Sequence, residues 1–74
     1  MFEKLRLKRK IKRCKKEIAH VEQKRSRSQA ALVEAILTNT SPADEDTDYF
    51  NRYTAEIEQI RNNLHELEFR LQKL

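Results

Sequence analysis

The sequence predicts an all-α fold: an antiparallel two-helix hairpin, coiled-coil-like, expected to dimerise into a four-helix bundle. Three observations carry this expectation. Apolar residues recur in steps of three and four along both halves of the chain. One short break, Asn39-Thr40-Ser41-Pro42, separates the halves. The chain has no glycine and one proline, which argues against a sheet protein with its Gly-containing turns.

The first helix is expected over about residues 2–38. Leu7, Ile11, Cys14, Ile18 and Val21 step by four and three, the spacing that keeps one stripe on one helical face. Arg25 and Ser28 fall next in register and interrupt the stripe, and Leu32, Ala35 and Ile36 resume it. Asn39 is placed to end the helix, because asparagine tolerates the left-handed conformation of a helix cap.

The turn is expected at about 39–41, too short for anything but an antiparallel return. The second helix is expected over about 42–74. Ser41 reads as its N-cap and Pro42 as its first helical residue, where a missing N–H costs nothing. Asp44, Glu45, Asp46 and Asp48 follow, at the end of the helix dipole that favours acids. The seam of this helix is unbroken: Phe50, Tyr53, Ile57, Ile60, Leu64, Leu67, Leu71 and Leu74. The two rods would be roughly 55 and 50 Å long.

Folding about this turn is expected to set Ile36 level with Phe50, Val21 with Leu64 and Ile11 with Leu74. Residues 1 to about 10 would then run past the second helix or lie against a neighbouring subunit. Arg25 would fall near Ile60 and Arg61, either reaching out to water or meeting an acid from another chain.

Length and composition bound the rest. The 74 residues make one domain, residues 1–74, and charged residues are 38% of the chain against 7% aromatic, a balance typical of long exposed helices. A core this small seldom supplies more than about 3–5 kcal/mol without a staple. Cys14 has no disulfide partner, and His20 and His65 lie far from it in sequence, so no zinc cluster is expected. That leaves association with a second copy as the expected staple. The absence of a long apolar run and of a secretory leader points to a cytoplasmic protein, with a membrane span excluded.

Three surfaces are candidates for function. Lys4, Arg6, Lys8, Arg9, Lys10, Lys12, Arg13, Lys15 and Lys16 put nine cations in thirteen residues. Residues 1–38 hold twelve bases and four acids, and residues 39–74 hold four bases and eight acids, so the chain is polarised. Such a rod suits nucleic-acid phosphates. It suits an anionic membrane less well, because Phe2 and Leu5 lie on the opposite side from Leu7 and Ile11. The plainer reading is a solvated, partner-facing surface. The second candidate is apolar: Ala30, Val33 and Leu37 turn away from the stripe, and Phe69 lies opposite the seam of its helix, which suggests an oligomer or partner interface. The third is the acidic segment Asp44–Asp48. Its alternate acids begin like a calcium loop, but Tyr49 and Ala55 stand where that loop needs glycine and glutamate, so helix-end acids suffice to explain it.

Cys14 is expected as a small buried apolar residue, and His20 and His65 as exposed. No nucleophile, base and acid lie together, and two packed rods form no deep pocket, so neither catalysis nor a cofactor is expected. The leading expectation is a small non-enzymatic interaction or adaptor protein that docks through apolar helix faces. The alternative is a nucleic-acid-binding accessory factor that uses its basic helix.

Overall fold

A computed structural model describes residues 2–74 as two helices, α1 (Phe2–Leu37) and α2 (Asp44–Gln72), packed side by side in a rod of 57 × 15 × 14 Å. Among the described residues there are no strands.

The end of α1 is built by its own last turn. Asn39 takes a left-handed conformation, φ 56°. Its N–H donates to the Ile36 carbonyl at 3.1 Å, and the Thr40 N–H reaches back to the Ala35 carbonyl at 2.8 Å. These paired bonds satisfy carbonyls that a helix end leaves orphaned. Two hydroxyls reinforce them: Thr38 Oγ1 donates to the Glu34 carbonyl at 2.9 Å, and Thr40 Oγ1 to the Ala35 carbonyl at 3.2 Å.

The start of α2 differs from the expectation. Ser41 does not cap and Pro42 is not helical. Ala43 is the N-cap, extended at φ −66° and ψ 138°, and no side chain caps the helix. Residues 40–43 stay non-helical and bridge the gap between the two helices. With no side-chain cap, the acids of the first turn, Asp44, Glu45 and Asp46, are left to complement the helix dipole.

The register lies about one helical turn from the expected pairings, because residues equidistant from the turn between Leu37 and Asp44 oppose each other. Val21 packs with Ile57 and Ile60 in the centre of the core, and Cys14, Ile18 and Tyr53 pack against them. Cys14 shares a hollow with Leu67, and Leu7 shares one with Leu74. A Glu22–Arg61 ion pair at 2.9 Å ties the same levels together across the helices. The expected pairings of Ile36 with Phe50, Val21 with Leu64 and Ile11 with Leu74 are therefore each off by about a turn.

Two corrections follow from that slip. The overhang of α1 is shorter than expected: Leu7 is 7% exposed, tucked against the end of α2. Ile36 is not a seam residue, since this register sets it level with the first turn of α2, and it is exposed. Arg25 is half-buried beside the core at the level of Glu56 and Ile57, and no acid lies within 4 Å of it among the described residues. Ser28, the other polar residue in the stripe, is buried.

Candidate functional site

The register brings three charged and apolar features to fixed places on the rod. At the open end, all nine cations from Lys4 to Lys16 are exposed. The α-helical spacing of Arg9, Lys12, Arg13 and Lys16 gathers these four around one shallow hollow, with no acid lining it. None of the nine lies within 4 Å of a carboxylate, since the ion pairs among the described residues are Glu22–Arg61 and Glu66–Arg70.

The second helix adds to this end. Lys10 and Arg13 face Arg70 across the interhelical groove, and Arg6 and Lys10 share a further hollow with Arg70 and Lys73. Arg70 is held by Glu66 at 3.0 Å, four residues back on its own helix. Lys73 Nζ lies 4.5 Å above the Phe69 ring. Sequence reading missed Arg70 and Lys73, although antiparallel pairing alone places the end of α2 beside the start of α1. Two cations close to the C-terminus of an antiparallel hairpin were the signal available.

At the turn end, Val33, Ile36 and Leu37 lie on adjoining positions of α1 and are 46%, 72% and 80% exposed. Ala30, Val33 and Leu37 line one shallow hollow with Ser26, Gln29 and Glu34. Phe69, grouped with them in the sequence reading, is exposed near the other end of the rod and belongs to a different surface. Ile36 joins the patch in its place. Nearby on α2, Tyr49 and Tyr53 stack with ring centroids 6.0 Å apart, and the Arg52 guanidinium lies 5.7 Å from the Tyr49 ring centre.

Comparison with protein-family models, with curated proteins and with solved structures finds no match.

The remaining chemistry-bearing residues are dispersed. Cys14 is half-buried, not fully enclosed, and borders the groove with Lys10, Arg13 and Arg70. His20 and His65 are exposed. Among the described residues no three His, Cys, Asp or Glu side chains gather as metal ligands. No helix of the described residues is long and apolar enough to cross a membrane. What the arrangement offers is two contact surfaces at opposite ends of one rod. The open end presents a dense set of cations, with Phe2, Leu5, Phe69 and Leu74 also exposed there. The turn end presents apolar area flanked by the acids of α2.

Proposed function

We propose that this chain is a small non-enzymatic interaction protein, working as a dimer in which two hairpins pack their turn-end apolar faces into a four-helix bundle. The observation that carries this reading is the contiguous exposed patch of Val33, Ile36 and Leu37, which a solitary hairpin leaves in water. The thinness of the core supports a second copy as its occupant. Among the described residues five apolar side chains are buried: Leu7, Ile11, Val21, Ile57 and Ile60. On α1 none of these lies beyond Val21, so the turn-end half of that helix has the most to gain from a neighbour. Docking of another protein on the same face is the adaptor form of this activity.

Light scattering after size exclusion tests the proposal. The wild type is expected to elute as a dimer, and Val33→Gln with Leu37→Gln as a monomer that keeps its helical circular dichroism. Arg13→Gln with Lys16→Gln should remain dimeric. A wild-type monomer at tens of micromolar, or a dimer untouched by the Val33/Leu37 pair, would refute it.

A further inference from the structure

We infer that the open end of the rod is a binding site for the phosphate backbone of duplex nucleic acid, formed by a cationic strip that crosses from α1 to α2. The strip runs from Arg9, Lys12 and Lys16 through Arg13 to Lys10 and Arg70. Arg13 joins its two parts, because it lines both the four-cation hollow on α1 and the groove shared with α2. The site lies at the opposite end of the rod from the apolar patch, so it does not depend on the proposed dimer.

Three features select this ligand. First, the α1 part of the strip is electrostatically unfinished, while Arg70 is held by Glu66. Arg9, Lys12, Arg13 and Lys16 are like charges three and four residues apart, a spacing that weakens a helix, and no carboxylate of the described residues lies within 4 Å of them. An external polyanion would relieve that repulsion. Second, the cations are closely and regularly set. From Lys4 to Lys16 the helix advances about 18 Å, and a duplex presents about one negative charge per 1.7 Å of its axis. Third, the exposed apolar residues of this end, Phe2, Leu5, Phe69 and Leu74, line neither the four-cation hollow nor the groove that Arg13 shares with Arg70. An acidic protein partner would be expected to engage apolar or aromatic anchors within its site. A lipid surface needs one coherent apolar helix face, and here Leu7 and Ile11 are buried against α2, which leaves Phe2 and Leu5 alone at this end of α1.

The same features set the specificity. No Asn or Gln stands among the cations of residues 4–16 to read adenine, Asn63 borders the groove alone from α2, and the exposed Phe2 and Phe69 line neither hollow of the strip for bases to stack on. Binding is charge-driven and indifferent to base sequence. With about six phosphates neutralised at once, the logarithm of the association constant falls against the logarithm of salt with a slope near −5, roughly a thousandfold loss between 50 and 200 mM salt.

Fluorescence anisotropy with a short labelled DNA duplex, titrated with the full chain over a range of salt, tests this directly. Arg13→Gln with Lys16→Gln should weaken binding at least tenfold at low salt and flatten the slope by about two. Arg70→Gln should flatten it by about one, which marks the contribution of α2. Arg27→Gln with Arg52→Gln removes the same charge as the first pair away from the strip, and should leave the slope unchanged. Circular dichroism of each variant confirms that it folds. The inference is overturned if the wild type ignores the duplex at low salt, or if both paired variants lose affinity equally. It is also overturned if vesicles of phosphatidylcholine and phosphatidylserine bind more tightly than the duplex.

Discussion

The two ends of the rod use apolar residues in opposite ways. Toward the open end, Leu7, Ile11 and Val21 of α1 are buried against α2, and nine cations cover most of the outside, with Phe2 and Leu5 exposed among them. Toward the turn, α1 has more apolar residues and less core. Leu32 and Ala35 are half-buried, Ser28 is the buried member of the stripe, and Val33, Ile36 and Leu37 face out. The seam of the same helix is thus closed toward the open end and thin toward the turn. A hydrophobic residue contributes to the fold only where the register supplies a partner for it. Where none is supplied, the residue becomes a contact surface.

The largest test of this contrast is at Ile57. Its side chain is 1% exposed and lies at the centre of the core with Val21 and Ile60. Ile57→Ala should cost about 2–5 kcal/mol through lost burial and the cavity left behind. For a chain this small that is most of the stability available. Leu37→Ala, measured by urea denaturation at a concentration too dilute for association, should fall within about 0.5 kcal/mol of wild type. Equal costs at the two positions would mean that the turn end of a single hairpin is as well packed as its middle.

The sequence carried the class of the fold more clearly than its alignment. The unbroken stripe from Phe50 to Leu74 and the interrupted one from Leu7 define two helices with one face each, and both helices are present. What the stripes leave open is how they slide past each other. Heptad repeats match again after a slip of about one turn, so Val21 can oppose Leu64 or Ile60 with similar apolar character. The position of the turn decides between them: residues equidistant from it oppose each other, and α1 ending at Leu37 with α2 starting at Asp44 sets Val21 against Ile60. In the observed register Ile36 lies outside the seam and Leu7 has Leu74 as a neighbour. The cations from Lys4 to Lys16 could be found by composition alone. Arg70 and Lys73 needed the antiparallel pairing as well.

The turn itself offers the next test. Asn39 holds φ 56°, a conformation that costs most L-residues about 1–2 kcal/mol. A β-branched residue suffers more than asparagine there, and glycine suffers least. Asn39→Val is therefore expected to destabilise the hairpin by about 1–2 kcal/mol in thermal or urea unfolding, and Asn39→Gly to match or exceed wild type. The penalty should fall on the monomer and leave duplex affinity unchanged, because the turn and the cationic strip lie at opposite ends of the rod. A loss of duplex binding in a folded Asn39→Val protein would show that the ends are coupled.

The smallest effect concerns what fixes the register. Glu22 and Arg61 form the one ion pair that crosses between the helices among the described residues, at 2.9 Å, with side chains 42% and 51% exposed. Pairs so open to water contribute about 0.2–1 kcal/mol, and salt screens them. A double-mutant cycle on Glu22→Gln and Arg61→Gln should give a coupling in that range that shrinks in 1 M salt. Burial at Val21, Ile57 and Ile60 would then set the alignment, with the ion pair marking it. A coupling of about 2 kcal/mol or more that survives high salt would reverse that order. It would assign the register, and with it the exposure of Ile36 and the placing of Arg70, to charge instead of packing.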